Sequence, residues 1–235
     1  MKYALFAYDF NHTKTKDLIL IMEYLGYKLN CILAAPKVEL NLPESQIRTS
    51  IRSNEYFHPE DVAKMFDIPY FVLQHNNDEC IKRIKERNCD IGIIGGARIL
   101  SKRTIEAFNY GVINFHPGII PENRGLDNLK WAIHLNIRQG ATTHFIDERV
   151  DSGRIILKRK IPIYYDDTLF DVQQRLYDTQ LELVGPTLEK IKGKTLDDFS
   201  LVTEGEARGI MPKELEREIP QKFKKYKQKF GQEKE

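Results

Sequence analysis

Asn114 and His116 stand two positions apart near the end of the first apolar run in "GVINFHPGIIP", and Pro117 and Gly118 follow at once. Side chains alternate along a strand, so the two polar groups emerge on one face. Pro-Gly then stops the strand and leaves both at its rim. The Asn amide and the His ring each offer an N–H donor. Two such donors converging on one oxygen stabilise the negative charge it gains when a nucleophile adds to its carbonyl. Taken alone, the pair reads equally as a turn-capping asparagine beside a satisfied buried imidazole. Farther along, Asp147, Glu148 and Asp151 crowd the turn of "GATTHFIDERVDSGRII". A carboxylate brought close to His116 would favour its protonated form and pass a proton; the plain alternative is a solvated turn. The adjacent glycines of "IGIIGGARILS" permit close backbone approach to a ligand or a packed element. They match neither G-x-G-x-x-G nor a P-loop.

The elements that must position these residues alternate from the start of the chain. Residues 3–8 read as a buried strand. Leu18, Ile21, Met22 and Leu25 recur at helical spacing, and Gly26 closes that helix. A second strand spans 29–35. Residues 37–58 show no clear period and read as a long loop. Pro59 opens a helix as a first-turn proline, and 70–73 form a third strand. Asp78 is the expected cap of the helix "ECIKRIKERN", Ser101 of a helix over 101–109, with strands at 90–95 and 112–115. Strands apolar on both faces, alternating with helices, imply an α/β protein with a parallel sheet flanked by helices. A helix over about 127–136 follows. Then "ATTHFI" and "GRIILKRKIPI" alternate like antiparallel strands joined by the Asp-rich turn. Leu169, Val172, Leu176, Leu183 or Val184, Leu188 and Ile191 mark one long amphipathic helix beginning near Asp167.

Composition excludes several classes. With 235 residues, 41% apolar and 30% charged, the chain is of ordinary globular character. A net charge of +2 implies no obligatory nucleic-acid partner. Its short apolar runs fall below the roughly 20 residues of a membrane span. Cys31, Cys80 and Cys89 form no C-x-x-C pair, and Asp9 interrupts the first apolar run; a cytoplasmic protein with reduced thiols and no resident metal is expected. From about residue 212 the chain is mostly charge, with Phe223, Tyr226 and Phe230 among lysines. A solvated tail or a helix docked on the body is expected in preference to an RNA contact.

In order and together, these stretches carry a resemblance. The chain is similar to the folate-dependent formyltransferases, whose signature N-x-H-P-(S/G)-φ-φ-P, with φ apolar, matches "NFHPGIIP" from Asn114 to Pro121, and whose D-x-G turn matches Asp151-Ser152-Gly153. A folate-lining segment of that family matches Ala97 to Leu100, and Thr142 and His144 fall at positions often Ser or Thr, and His. The likeness spans roughly residues 1–190. It implies a Rossmann-like, mostly parallel sheet with antiparallel strands after the catalytic loop. The division it suggests is a catalytic domain over 1–193 and a charged extension over 194–235, dimerising or docked on the body. By resemblance, Asn114, His116 and Asp151 are catalytic. Arg98, Ile99, Leu100, Ile146, Asp147 and Asp151 bind the co-substrate N10-formyltetrahydrofolate.

Within the family, the purine branch carries a glycine-rich phosphate loop after its first strand. "FAYDFNHTK" has Asp9 there and no glycine, although Asn11, His12 and Lys14 remain as other phosphate ligands. About 45 residues remain after the long helix, too few for the extra barrel of the tRNA branch. The branch acting on nucleotide-linked amino sugars often reads "HPG", then "NRG" with a nearby Trp. Pro117, Gly118, Asn123, Arg124 and Trp131 are the corresponding substrate-binding candidates, with surface charge the plain reading of Arg124 and helix core that of Trp131. The expectation is thus a sugar-amine formyltransferase with small-molecule substrates and a homodimer through C-terminal elements. The alternatives are a glycinamide ribonucleotide enzyme and a non-catalytic folate- or nucleotide-binding domain.

Overall fold

The computed structural model describes residues 1–39, 43–47, 49 and 57–234. The loop expected over 37–58 therefore lies partly outside the described residues. In chain order the first half comprises β1 (Tyr3–Asp9), α1 (Thr13–Tyr24), β2 (Leu29–Pro36), α2 (Pro59–Met65), β3 (Tyr70–Val72), α3 (Asp78–Glu86), β4 (Ile91–Ile94), α4 (Lys102–Ile105) and β5 (Gly111–His116). The second half comprises β6 (Arg124–Gly125), α5 (Asn128–Leu135), β7 (Gly140–Phe145), β8 (Arg154–Lys160), β9 (Ile163–Tyr164), α6 (Leu169–Glu182) and α7 (Val184–Lys190). It closes with β10 (Ser200–Leu201), β11 (Ala207–Arg208), α8 (Lys213–Glu216), α9 (Ile219–Phe230) and β12 (Gly231–Gln232).

The main sheet runs β10-β8-β7-β5-β4-β1-β2-β3. Strands β1 to β5 pair in parallel, as their two-sided apolar runs require; β5, β7, β8 and β10 pair antiparallel. The chain winds outward through β2 and β3, then returns beside β1 at β4. The crevice beyond the carboxyl ends of β1 and β4 is where an open sheet of this kind takes ligands, and β5 ends next to it.

Local chemistry explains most boundaries. The His58 ring accepts from Glu60 N ahead of Pro59, and Ser101 Oγ accepts from Thr104 N. Thr168 and Asp171 form a reciprocal capping box on α6. Three expectations need correction. The helix expected over 101–109 closes at Ile105, beyond which Ala107 N and Phe108 N donate to the carbonyls of Thr104 and Ile105, three residues back. Asn77, not Asp78, caps α3: its Oδ1 accepts from Cys80 N at 2.8 Å, and Asp78 is the first helical residue. The long helix is also broken in two after Glu182, because Pro186 has no N–H for the Glu182 carbonyl.

Residues 194–234 pack on the body. Strand β10 extends the main sheet, β11 pairs with β6, and β12 pairs with β9. Phe223 and Tyr226 of α9 join the core, and Tyr226 Oη donates to Ile137 O at 2.8 Å.

Candidate active site

Strand β5 carries Asn114 and His116 to the rim on one face. Its antiparallel partner β7 sets His144 opposite Asn114 and Thr142 opposite His116. The turn after β7 folds back over His144, whose Nδ1–H donates to Ser152 O at 2.7 Å. Gly153 permits this return: its φ is +98°, and a Cβ there would lie 2.0 Å from Phe145 O. The fold-back delivers Asp151, itself left-handed at φ 43°, onto the β5 pair.

Asp151 Oδ1 accepts from Asn114 Nδ2 at 3.1 Å and faces His116 Nδ1 at 3.2 Å. Oδ2 accepts from Gly125 N at 2.9 Å. Burial by itself would push this carboxyl up. The hydrogen bond and charge of His116, the charge of His144 and the Gly125 amide override burial and hold it at about 2. His116 is 2% exposed, and its Nε2 lies 2.8 Å from the Asn123 carbonyl. Nδ1 thus faces the Asp151 carboxylate, while Nε2 faces the Asn123 carbonyl and the Asn128 side-chain amide. Burial and the neighbouring His116 push His144 down to about 4, so it stays neutral and turns Nε2 toward Asn114 Nδ2, 3.5 Å away. The three expected residues meet, and the meeting leaves a carboxylate between two N–H donors.

Local fit keeps the ring in place. A Cβ on Gly118 would lie 2.3 Å from Asn123 O and 2.7 Å from His116 Nε2. Thr142 Oγ1 donates to Gly118 O at 2.7 Å and accepts from Ile120 N at 3.1 Å, pinning the loop beyond Pro117. Asn123 is fully buried; its Nδ2 donates to Asn128 O. Arg124 is buried against main-chain carbonyls, and Trp131 Nε1 donates to Gly209 O at 2.9 Å.

Ile99 is 68% exposed, Arg98 is exposed and Leu100 is buried. Leu100 and Ile146 share one apolar cluster with Phe108 and Val112, so both segments expected to line a folate pocket converge. Asn76 braces the first of them, donating to Ile99 O and accepting from Ser101 N. Asp147 turns to Arg149, whose main-chain and guanidinium N–H groups it accepts.

Two residues at the site had no assignment in the motif. Asn128 Nδ2 lies 3.2 Å from His116 Nε2. Lys14 Nζ donates to Phe115 O at 2.9 Å and to Gln180 Oε1 at 3.1 Å, and burial pushes it down to about 8 against the opposing pull of Asp151. The place of Lys14 just past β1, beside the crevice, was the available signal; Asn128 had none. Beside Pro117 opens a cavity of about 250 Å³, lined among others by Asp127, Asn128, Lys130, Gln173 and Leu176.

Comparison with known proteins bears on this arrangement. A family model described as formyl transferase matches residues 50–186. The chain is 31% identical over 143 residues to the methionyl-tRNA formyltransferase of Caldanaerobacter subterraneus subsp. tengcongensis, covering 60% of this chain and 46% of that protein. It is 31% identical over 131 residues to the phosphoribosylglycinamide formyltransferase of Haemophilus influenzae, covering 52% and 62%. The chain thus spans about half to three fifths of these curated relatives. A sugar N-formyltransferase structure from Shewanella sp FDAARGOS_354 superposes with a TM-score of 0.61 at 18% identity, covering 89% of this chain and 77% of that one, and shares the fold.

Proposed function

The chain belongs to the formyl transferase family, and on that premise we propose that it transfers a formyl group from N10-formyltetrahydrofolate to the primary amine of a nucleotide-linked amino sugar. The observation that carries the reading is the convergence of Asn114, His116 and Asp151 within 3.2 Å contacts at the rim of β5. As the formyl oxygen becomes negative during attack by the neutral amine, it takes the place of Asp151 Oδ1 as acceptor of the Asn114 Nδ2–H and His116 Nδ1–H protons. The Asn123 carbonyl orients the ring from behind. A bond forms between the amine nitrogen and the formyl carbon, and the bond from that carbon to the donor's nitrogen breaks. Asp151 and His116 carry the proton lost by the attacking nitrogen to the departing one. The co-substrate's pterin edge suits the main chain around residues 98–100 and the apolar surface of Ile99 and Ile146.

The sugar reading rests on the other side of the site. Lys130 gives its protons to Asp127 Oδ1 at 3.1 Å, Glu216 Oε1 at 2.8 Å and Ser45 Oγ at 3.3 Å. The cavity beside Pro117 therefore offers carboxylate and amide groups to hydroxyls, with its lysine already committed. On either side of the β1–α1 loop, Asp9 accepts from Tyr70 Oη and Lys14 is engaged with Phe115 and Gln180, which argues against a phosphate cradle there.

The test is a screen of uridine- and thymidine-diphosphate-linked 3- and 4-amino sugars alongside glycinamide ribonucleotide, followed by folate absorbance. Formylation of an amino sugar is expected. Turnover confined to the ribonucleotide overturns the acceptor class, and folate binding without transfer to any amine overturns catalysis.

A further inference from the structure

Arg124 is 7% exposed, and its guanidinium spends its donors on main-chain oxygens. Nε and Nη2 donate to Val150 O at 3.2 and 2.7 Å. Nη1 donates to Gly205 O at 2.5 Å and Glu204 O at 3.3 Å. Among the described residues no carboxylate pairs with it. Such a group is buried for its geometry: a planar fork can grip two chain segments at a fixed separation, which an ammonium cannot do.

The segments it joins are informative. Val150 immediately precedes Asp151, and Gly125, the residue after Arg124, holds the Asp151 carboxylate through its own N–H. Two consecutive residues thus fix the main chain and the side chain of the same aspartate, which sits in a left-handed conformation that needs holding. The far side of the fork is the segment 204–208. That strap pairs through β11 with β6, accepts Leu126 N on Arg208 O at 2.8 Å, and donates from Arg208 Nη1 to Glu122 O at 3.0 Å. It binds the loop that carries Gly125 along its length.

We infer that Arg124 is a positioning residue for the transfer reaction, and that it and the 204–208 strap together form the clamp holding the Asp151 carboxylate between Asn114 and His116. The inference rests on the role proposed above for Asp151. It makes part of the C-terminal segment a working piece of the active centre.

The test uses the full chain with Arg124→Lys, Arg124→Ala and Gly205→Ala. In the last, the guanidinium stays, but a Cβ would meet Pro121 O at 2.3 Å and push the strap away. Two readouts are taken. The first is the His116 Nδ1–H proton resonance, which reports the bond to Asp151 without turnover. The second is steady-state kinetics with N10-formyltetrahydrofolate and the amino sugar accepted in the screen. The clamp predicts that folded Arg124→Lys and Gly205→Ala lose at least tenfold in kcat with KM for the amine unchanged. Their Nδ1–H resonance should move toward that of Asp151→Asn, and added guanidinium ion should partly restore Arg124→Ala. Variants with wild-type resonance and kcat within twofold overturn it. So does loss of activity in proportion to loss of folded protein, with the resonance unmoved. If His116→Ala itself keeps turnover, the catalytic reading has failed; the resonance still tells whether the clamp exists.

Discussion

Asn114 Nδ2 donates to Asp151 Oδ1 across 3.1 Å, joining a strand end to a turn 37 residues later. The same oxygen faces His116 Nδ1. One atom therefore orients both donors, and the three side chains act as a unit.

Asn114→Ala, His116→Ala and Asp151→Ala are each expected to lower kcat by about 10²–10³, the usual effect of removing an oxyanion donor or its support. Double variants should be little worse than single ones, since a broken unit cannot be broken twice. Steady-state kinetics on protein with unchanged circular dichroism checks this. Near-wild-type kcat in His116→Ala would remove the assignment.

Gly118→Ala tests the fit around the ring. The added carbon has no room between Asn123 O and His116 Nε2, so the imidazole must shift. The expected result is at least a tenfold loss in kcat with a smaller change in unfolding midpoint. A fully active Gly118→Ala protein would show that the ring position is not restrictive.

Thr142→Val keeps the shape and removes a buried hydroxyl. The Gly118 carbonyl and the Ile120 N–H then lose their partner. Urea unfolding should show a loss of about 1–3 kcal/mol, the cost of leaving buried polar groups unpaired. A loss near zero would mean the loop finds other partners.

Glu216 predicts a pH effect. It is 2% exposed; burial opposes its ionisation, but Lys130, Ser45 and Gln46 N hold it at about 2. A carboxyl depressed in the folded state stabilises the fold fully above its ordinary value of about 4.3 and loses that contribution as pH falls through 2. The gap in thermal midpoint between wild type and Glu216→Gln should be largest near pH 7 and shrink steadily between pH 4.5 and 2. A gap independent of pH in that range would contradict the Lys130 pairing as its source.

Much of the fold could be read from local pattern. The alternation from β1 to β5, Pro59 at the start of α2 and Ser101 ahead of α4 all follow from residues within one turn of each other. Asn77 and Asp78 are both good caps, and only the packing of α3 chooses between them. The apolar period from Leu169 to Ile191 continues through Pro186, although the hydrogen-bond ladder does not. Asn123 and Arg124 read as substrate-binding candidates, with surface charge the plain reading of Arg124; both are buried, and the carbonyls that satisfy Arg124 lie in distant segments.

The sequence by itself determined that Asn114 and His116 share a face at a strand end, since side-chain alternation is a property of neighbouring residues. Only the tertiary structure decided that Asp151 reaches them and that Arg124 turns inward. The β5–β7 register, the fold-back at Gly153 and the strap over β6 set those distances, and each is a contact between segments far apart in the chain. No local periodicity carries such contacts, because their energy comes from surfaces that exist only once the chain has closed on itself.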